Sequence, residues 1–494
     1  MKKKKLNLTK EKISFGTDGW RGILGVEFTL ERLLKVAAAA AQELAYVKEK
    51  KNNKIIIGYD RRFLAEEMAE AVASAVRGVD LVPLLASSAL PTPSCSWGIV
   101  EENALGALVI TASHNPCEWL GLKIKGPFGG SVDSSFTDSV QKRLDAGGIS
   151  IPIEGVTERV DFRKQHLLGI SQEFDMHLIA DGLRKLGVKI FVDPMHGSAA
   201  GCMSELFGVD SEELIYEIRT ERDPSFGGNP PEPLKAYLSQ LIQEVQDESQ
   251  AGKLSMGLVF DGDGDRIAAI DEKGRYCNTQ LLMPVLIDHL ARVRNMPGCV
   301  VKTVSGSDLM RLVAEDLGRE VLEKPVGFKY IAEEMLSREV LIGGEESGGV
   351  GFGHHLPERD ALFTALLLME SIVADGKCLG EKIDSLHARF GKSHFERIDL
   401  TLKDMEMRRS VEDFLKQKTP SSIGHKSVLE VISTDGIKLI LDKSHWLMFR
   451  FSGTEPLLRI YCEAPSSAEV TSTLYYACLL YTSDAADERS SVDL

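Results

Sequence analysis

The sequence has no paired cysteine spacing, no excess of positive charge, and no apolar run long enough to cross a membrane. Its eight cysteines are scattered through 494 residues, which favours reduced thiols in a cytoplasmic protein over a disulfide framework or a zinc site. Lys and Arg number 58 against 73 Asp and Glu, for a formal charge of −15, and this balance argues against a nucleic-acid-binding face. The basic opening "MKKKKLNLTKEK" lacks the apolar segment of a signal peptide. We therefore expect a cytoplasmic protein that binds neither nucleic acid nor a membrane.

A G-x-S-x-G elbow is also missing, which disfavours an acyl-transfer hydrolase. The acidic total does not exclude a small anionic substrate, provided that a few basic side chains converge. Candidates for this local positive charge are Arg21, Arg62, Lys123, Lys125, Arg266, Lys302, Lys324 and Lys329.

Short β-branched runs ending in Gly- or Asp-rich loops, each followed by a helical pattern, recur along most of the chain. This alternation predicts parallel α/β sheets, in which ligands gather at the carboxyl ends of the strands. Within "FGKSHFERIDLTLKD", near residues 390–404, the helical pattern changes to the alternation of an antiparallel sheet. We expect α/β domains at residues 1–150, 151–272 and 273–392 and a smaller α+β domain at 393–477. The tail 478–494, "CLLYTSDAADERSSVDL", resembles a sequencing adapter read in frame, and we expect it to be non-native.

The stretch "ALVITASHNP", residues 107–116, places the hydroxyl of Ser113 at a chain reversal after an apolar strand, beside His114 and Asn115. A serine hydroxyl is a weak nucleophile unless a base activates it, or unless it already carries the group to be transferred. A phosphorylated Ser113 would be an anionic ligand for a cation.

The stretch "DGDGDR", residues 261–266, follows the apolar run "MGLVF". Asp261, Asp263 and Asp265 can turn toward one point, and oxygen ligands alone suit Mg²⁺ or Ca²⁺. An EF-hand loop is the competing interpretation, but it requires Gly at the position of Arg266. An acidic surface turn is also disfavoured, since carboxylates packed so closely repel one another without a cation.

Two further loops carry polar groups suited to a sugar phosphate. In "RFSGTEPLLRIY" the hydroxyls and backbone N–H groups of residues 452–454 lie between Arg450 and Arg459, as a phosphate dianion needs. In "GGEESGG" the side chains of Glu345 and Ser347 suit sugar hydroxyls. An ordinary turn explains either loop when it is considered alone.

Taken together and in this order, "TASHNP", "DGDGDR", "GEESGG" and "RFSGTEP" resemble the four characteristic loops of the α-D-phosphohexomutase family, in particular its phosphoglucomutase and phosphomannomutase members. The resemblance covers Phe15 to about Ala464. It implies three α/β/α sandwich domains and a smaller C-terminal α+β domain around a central cleft, each contributing one loop. One departure is Leu120 in "HNPCEWLGLK", where the family often has Asn.

The resemblance implies that Ser113 is the phosphoserine, and that Ser113, Asp261, Asp263 and Asp265 bind one Mg²⁺. The other expected catalytic residues are Lys123, His114, Arg266 and Lys329, the last as acid/base in "KPVGFKYI". The expected substrate contacts are Arg21, Lys302, Gly327, Glu345, Ser347, Arg450, Ser452, Gly453, Thr454 and Arg459.

The implied activity is the interconversion of glucose 1-phosphate and glucose 6-phosphate through a phosphoserine and a hexose bisphosphate, by a monomer or homodimer. Phe328 and Gly349 stand where phosphomannomutase-type loops carry His, which favours glucose over mannose. A dual-specificity or mannose-specific mutase, a metal-dependent phosphatase and a non-catalytic sugar-phosphate- or cation-binding protein remain open alternatives. Phosphoglucosamine mutase is disfavoured, because a "GEQSGH"-like loop would be expected there.

Overall fold

The computed structural model describes residues 13–16, 18–46, 52–147, 152–452 and 456–485. They form four consecutive units of secondary structure, three with helices around a mixed sheet and a last one with an antiparallel sheet. The predicted fold class, three α/β units followed by a smaller α+β unit, is confirmed. Among the described residues, no helix combines the length and apolar character needed to cross a bilayer.

The first unit contains a six-stranded sheet of order β1-β5-β4-β2-β3-β6. Its elements are β1 Gly19–Ile23, α1 Leu30–Ala45, β2 Lys54–Tyr59, α2 Ala65–Arg77, β3 Val82–Ala86, α3 Thr92–Glu101, β4 Ala107–Ile110, β5 Trp119–Lys125, α4 Ser134–Ala146 and β6 Glu158–Val160. The parallel strands β2 and β4 are almost entirely buried, as expected for strands covered by helices on both faces. Strand β6 pairs with β3, so this sheet continues beyond the domain boundary expected at residue 150.

The second unit has a five-stranded sheet of order β11-β10-β9-β7-β8. Its elements are α5 Phe162–Gln172, α6 Met176–Leu186, β7 Val188–Asp193, α7 Cys202–Phe207, α8 Ser211–Leu214, β8 Ile215–Glu217, α9 Ser239–Gln250, β9 Leu254–Phe260, β10 Ile267–Ile270 and β11 Tyr276–Cys277. Strand β10 returns antiparallel to β9, so the "DGDGDR" loop joins two buried strands. A helix–loop–helix calcium site is thereby excluded at this loop.

The third unit has a four-stranded sheet of order β13-β12-β14-β15. Its elements are α10 Thr279–Arg292, β12 Cys299–Thr303, α11 Asp308–Asp316, β13 Val321–Lys324, α12 Phe328–Ser337, β14 Val340–Gly344, β15 Val350–Gly351, α13 Ala361–Asp375 and α14 Leu379–Phe390. The carboxylate of Asp360 caps α13 by accepting the N–H groups of Leu362 and Phe363, which fixes the start of this buried helix.

The fourth unit has an antiparallel sheet of order β16-β22-β21-β20-β19 and a two-stranded ribbon. Its elements are β16 His394–Thr401, α15 Met405–Gln417, β17 Ser422–Ile423, β18 Lys426–Ser427, β19 Glu430–Ile432, β20 Ile437–Asp442, β21 His445–Phe451, β22 Leu457–Ala464 and α16 Ser467–Ala485. Helix α16 continues past residue 478, where we expect the non-native tail to begin. Residues 486–494 lie outside the described residues, so the origin of the tail stays a prediction.

The four units differ in whether each has a hydrophobic core of its own. One continuous cluster of buried apolar side chains includes residues of both the second and the third unit, whereas the first and fourth units have clusters of their own. Because α6 of the second unit packs on α13 of the third, these two units share a core. The fourth unit meets the third through a small apolar cluster that includes Val304 and Trp446 and through charged contacts such as that of Lys438 with Glu323. The first unit contacts the second where α3 packs on α5, and a charged contact ties it to the third.

A buried ion pair joins the first unit to the third. The ammonium of Lys125, on β5, contacts the carboxylate of Glu358, just before α13, and both side chains are excluded from solvent. Lys125 also donates to the hydroxyl of Ser131 at 2.9 Å. Removing one member of such a pair leaves an uncompensated charge in a region of low dielectric constant.

We expect Lys125→Met to lower the free energy of unfolding by about 3–5 kcal/mol, because Glu358 would stay buried without its partner. Urea titration followed by circular dichroism measures this loss. The matched control is Lys35→Met, which removes an exposed pair with Glu31 and should change stability by less than about 1 kcal/mol. Equal effects of the two substitutions would contradict the prediction.

Candidate active site

Ser113 lies in the turn that follows β4, at the carboxyl end of an interior strand of the first sheet. Its φ is +52°, a left-handed conformation that is uncommon and strained for a residue with a side chain. Its backbone N–H donates to Oγ1 of Thr111 at 2.8 Å, and Thr111 donates to Oδ2 of Asp60 at 2.6 Å. These contacts hold the Ser113 hydroxyl in one direction, as group transfer from a fixed oxygen requires.

The buried guanidinium of Arg62 braces this turn. It donates to the carbonyl oxygens of Ser113 and Asn115, both at 2.6 Å, and its Nε lies 3.2 Å from the carboxylate of Asp60. Leu120 is fully buried in the core of the first unit. The turn is therefore braced without a polar side chain at position 120.

The three aspartates of "DGDGDR" converge in the loop after β9. Asp261, Asp263 and Asp265 are completely buried, and one oxygen from each lies within 4.8 Å of the others. The hydroxyl of Ser113 donates to Oδ2 of Asp261 at 2.8 Å. The loop of the first unit and the loop of the second therefore meet at one point.

Two cations compensate the charge of this triad. Lys123 Nζ donates to Oδ2 of Asp263 at 2.6 Å and to Oδ2 of Asp265 at 2.7 Å. The guanidinium of Arg359 donates to the same Oδ2 of Asp265 at 2.8 Å, and the Thr92 hydroxyl donates to Oδ2 of Asp263 at 2.6 Å. One oxygen of each of these carboxylates is therefore committed to protein donors.

Asp263 and Asp265 each keep one carboxylate oxygen for a ligand, whereas both oxygens of Asp261 contact protein donors. Asp261 Oδ1 accepts the N–H groups of Asp265 and Arg266, while its Oδ2 faces Ser113. Oδ1 of Asp263 and Oδ1 of Asp265 are buried and have no hydrogen-bond partner among the described residues. Buried acceptors without a partner are unfavourable by about 1–3 kcal/mol each. A divalent cation satisfies them, and an all-oxygen set suits Mg²⁺, so the residues present fit the expected ion.

Burial and the neighbouring charges shift the pKa values of two of the aspartates in opposite directions. Burial, together with repulsion from Asp263 and Asp265, raises the pKa of Asp261 well above its usual value. Burial opposes ionisation of Asp263 as well, but the ammonium of Lys123 holds its pKa well below the usual range. Burial would lower the pKa of Lys123, yet its two carboxylate partners raise it above the ordinary value. Lys123 therefore stays charged and acts as a permanent counter-ion.

The loop after β14, which belongs to the third unit, lies next to the aspartate triad. Glu345 is buried, and its Oε2 lies 3.5 Å from Nη1 of Arg359. Burial raises the pKa of the Glu345 carboxyl to about 7, although Arg359 opposes the shift. Gly349 forms a backbone bridge with Arg266, and Ser347 is partly exposed between them. The predicted sugar loop thus borders the aspartate loop.

Basic and imidazole groups surround the Ser113 hydroxyl. Arg21 donates to Oδ1 of Asn115 at 2.8 Å, and Nε of Arg266 lies 3.9 Å from Asp265. Nδ1 of His114 lies 3.4 Å from Oγ of Ser113. Burial, with Arg266 and Arg21 nearby, lowers the pKa of His114 well below its usual value. This imidazole is therefore neutral.

In the fourth unit, Arg450 and Arg459 lie opposite each other on β21 and β22. Nε of Arg450 donates to Asp435 at 2.8 Å, and Nε of Arg459 lies 3.7 Å from Asp399. Both guanidiniums are thus held by partly exposed carboxylates, at places that a phosphate could take.

The rest of the predicted phosphate loop is described only in part. The carbonyl oxygen of Ser452 accepts a hydrogen bond from Arg408 at 2.9 Å, while Gly453 and Thr454 lie outside the described residues. Arg397, on β16, is a further basic residue of this unit, and its charge contributes to the lowered pKa of His114 after burial, Arg266 and Arg21. Arg397 therefore adds to the positive charge that keeps His114 neutral.

Three predicted site residues have other surroundings. Lys302 Nζ donates to Glu323 at 2.6 Å and to the carbonyl oxygen of Gly306, at the contact between the third and fourth units. Lys329 Nζ donates to the hydroxyl of Ser134 at 2.7 Å, on the first unit. Gly327 precedes α12 with φ +137°. None of these contacts reaches the aspartate triad, so the roles expected for Lys302, Gly327 and Lys329 stay predictions.

Two charged residues of the site were not among the predicted ones. Asp18 accepts from Arg359 at 2.8 Å and lies 3.9 Å from Arg21. Asp18 is in the "TDGWRG" stretch that contains Arg21, whereas Arg359, in "LPERDALF", follows no recognisable pattern. Its sequence context is that of an ordinary charged helix start, so only the folded chain reveals its position.

Comparison with protein families gives matches along most of the chain. The domains described as phosphoglucomutase/phosphomannomutase, alpha/beta/alpha domains I, II and III, match residues 12–148, 165–274 and 278–390. The phosphoglucomutase/phosphomannomutase C-terminal domain matches residues 402–474.

Individual proteins agree with this result. A phosphoglucomutase/phosphomannomutase of Thermococcus kodakarensis is 29% identical over 462 residues, covering 92% of this chain and 94% of that protein. A phosphoglucosamine mutase of Carboxydothermus hydrogenoformans is 29% identical over 455 residues, covering 91% and 94%. The crystal structure of a Thermus thermophilus protein described as a phosphomannomutase superposes with a TM-score of 0.83 at 30% identity, over 96% of this chain and 99% of that one.

We expect Asp263→Asn to weaken Mg²⁺ binding by at least about ten- to a hundredfold, because it removes one of the presented oxygens and disturbs the Lys123 contact. Isothermal titration with Mg²⁺ measures the affinity. Asp384→Asn, which changes a partly exposed carboxylate paired with Arg275, is the control and should leave the affinity unchanged. Wild-type affinity in Asp263→Asn would remove the triad as the ion site.

The buried position of Lys438 beside Lys302 predicts that the free energy of unfolding depends on pH. Burial and the neighbouring Lys302 lower the pKa of Lys438 from 10.5 to about 8. Between pH 8 and 10.5 the unfolded chain therefore binds more protons than the folded one, so this contribution to stability rises with pH. We expect Lys438→Met to lack this rise, which is on the order of 2 kcal/mol. Urea titrations of both proteins at pH 7.5 and 9.5 measure it, and parallel pH profiles would contradict the assignment.

Proposed function

The chain belongs to the phosphoglucomutase/phosphomannomutase family of phosphohexomutases, and within it we propose a phosphoglucomutase that interconverts glucose 1-phosphate and glucose 6-phosphate. The observation that carries the proposal is the 2.8 Å contact between the Ser113 hydroxyl and Asp261, beside two buried carboxylate oxygens that lack hydrogen-bond partners among the described residues. A hydroxyl held against a cation site by a strained turn suits a serine that carries a phosphoryl group.

In the proposed cycle, phospho-Ser113 transfers its phosphoryl group to a free hydroxyl of the sugar monophosphate. The bond from phosphorus to the Ser113 oxygen breaks, and a bond to the sugar oxygen forms. The resulting hexose bisphosphate reorients in the cleft, and its other phosphoryl group returns to Ser113. In that step the bond from phosphorus to the second sugar oxygen breaks, and this oxygen takes back the proton given up in the first step. A bound Mg²⁺ would supply charge neutralisation for the transferring group. Lys123 keeps Asp263 ionised, and the Arg62 brace keeps the serine oxygen in place.

The proton of the attacking sugar hydroxyl needs an acceptor. Lys329 is the candidate acid/base, and its amino group lies against Ser134 at the border of the first and third units. Serving as the base requires it to leave Ser134 and turn toward bound sugar. Lys329 is the second residue of α12, two positions after Gly327. Its contact with Ser134 of the first unit supports this assignment.

Contacts for the two ends of the substrate come from different units. Glu345 and Ser347 are the proposed sugar-hydroxyl contacts. Arg450, Arg459 and the Ser452–Thr454 loop are the proposed holders of the phosphate that is not being transferred. That phosphate would replace the carboxylates of Asp435 and Asp399 as guanidinium partners, which is favourable because a dianion forms stronger charge-assisted hydrogen bonds.

The preference for glucose is supported by two positions of the third unit. Phe328 is buried with its ring 5.5 Å from the guanidinium of Arg359, and a side chain at Gly349 would meet Cδ of Arg359 at 2.3 Å. Neither position can present an imidazole to the sugar without rearrangement. A Lys-based proton shuttle, as in phosphoglucomutase-type members, is the proposal consistent with this packing.

Phosphoglucosamine mutase is the second candidate, because several related proteins carry that name. The buried Glu345, whose pKa is raised to about 7, could accept a hydrogen bond from an amino group as well as from a hydroxyl. Initial rates with glucose 1-phosphate, mannose 1-phosphate and glucosamine 1-phosphate at equal concentrations decide among the three sugars. The glucose proposal predicts the highest kcat/KM for glucose 1-phosphate.

We expect Ser113→Ala to lower kcat by more than about a thousandfold, since covalent transfer needs the serine oxygen beside the cation site. A coupled assay for glucose 6-phosphate measures the rate. Ser94→Ala, which changes a buried hydroxyl bonded to His166, is the control for folding and should stay active. Intact-mass analysis should show a phosphoryl group on wild type and none on Ser113→Ala. Substantial turnover by Ser113→Ala would exclude the phosphoserine cycle.

A further inference from the structure

The side chain of Arg359 contacts carboxylates from three units. It lies two residues before α13 and is buried. Its Nη2 donates to Oδ2 of Asp18 in the first unit and to Oδ2 of Asp265 in the second, both at 2.8 Å. Its Nη1 lies 3.5 Å from Oε2 of Glu345 in the third unit.

The contact with Asp265 determines which of its oxygens is available. Oδ2 of Asp265 accepts hydrogen bonds from both Arg359 and Lys123. Oδ1 has no hydrogen-bond partner in the described part of the chain. Lys123 is shared with Asp263, so it cannot fix the rotation of the Asp265 carboxylate by itself. With Arg359 in place, Oδ2 is held by both cations. Oδ1 has only the Nε of Arg266 near it, at 3.9 Å, and is left for a ligand.

The surrounding packing keeps Arg359 from swinging away. The ring of Phe328 lies 5.5 Å from the guanidinium carbon. Gly349 has no side chain, and a Cβ there would approach Cδ of Arg359 to 2.3 Å. The residues on either side of Arg359 are also fixed across unit boundaries, since Glu358 pairs with Lys125 and Asp360 bonds His166 at 2.8 Å. The surrounding residues therefore hold the Arg359 side chain in one conformation.

We propose that Arg359 is a positioning residue: it presents Oδ1 of Asp265 to the divalent cation and ties Glu345 of the sugar loop to the metal loop. The proposal rests on the proposed function only in that the aspartate triad binds a cation. It does not depend on which hexose phosphate is the substrate. Arg359 contacts neither the ion nor the sugar in this role and acts through Asp265 and Glu345.

The planar guanidinium is essential to this arrangement. Three acceptors on separate units need donors that diverge in one plane, which Arg supplies and the single ammonium of Lys does not. Arg359→Lys keeps the positive charge, and so limits the damage to folding, but it loses this geometry. Arg359→Gln removes the charge as well and leaves Asp18 and Asp265 with less compensation.

The test measures cation binding directly, without substrate. Mn²⁺ is titrated calorimetrically into dephosphorylated wild type, Arg359→Lys and Arg359→Gln at pH 7.5, and circular dichroism checks that each protein is folded. We expect Arg359→Lys to bind Mn²⁺ about ten- to a hundredfold more weakly, the loss typical of a group that orients a metal ligand, and Arg359→Gln to lose at least as much. Arg275→Gln, which breaks an ion pair with the buried Asp271 outside the site, should bind as wild type does.

Activity provides the second readout. In Arg359→Lys the Mg²⁺ concentration for half-maximal rate should rise by the same factor, while saturating Mg²⁺ restores kcat to within about tenfold of wild type, because the missing group orients an ion ligand. Wild-type Mn²⁺ affinity in folded Arg359→Lys and Arg359→Gln would overturn the proposal. Failure of both variants to fold would also overturn it, since Arg359 would then be required for folding itself. A wrong sugar assignment, by contrast, changes no Mn²⁺ affinity.

Discussion

The site depends on the compensation of buried negative charge by cations that belong to other units. Three aspartates within 4.8 Å of one another, all buried, repel strongly in a medium of low dielectric constant. Lys123 from the first unit and Arg359 from the third neutralise part of this charge. The contacts that build the proposed cation site are therefore also contacts that hold three units together.

This arrangement suits a cleft that must enclose a charged substrate. The second and third units share a hydrophobic core, and the first is attached to them by buried ion pairs such as Lys125–Glu358. The fourth unit has its own core and meets the third through the pair of Lys438 and Glu323 and a small apolar cluster around Val304 and Trp446. Charged interfaces can be broken and re-formed with less loss of apolar burial than a shared core.

Several features could be predicted from local patterns because their causes are local. Alternating apolar runs and helical periodicity predicted the α/β units, and the change to strict alternation near residue 394 predicted the antiparallel fourth unit. The loops around Ser113 and Asp261 were predicted together, since their residue types suit one chemistry and both follow buried strands. The strand Glu158–Val160 lies past the boundary expected at residue 150 yet pairs with the first sheet, because a three-residue strand carries too little pattern to show which sheet it joins.

The sequence by itself determined the fold class, the residue types available at each strand end, and the phosphohexomutase family through four loops in order. Only the tertiary structure decided how these groups pair. Arg359 is separated from Asp18 by 341 positions and from Asp265 by 94, so no local pattern links them. Lys302 has the residue type of a phosphate ligand, yet packing places its ammonium against Glu323. Side-chain partners across unit boundaries depend on how whole sheets are oriented, and that orientation follows from the total packing of the cores.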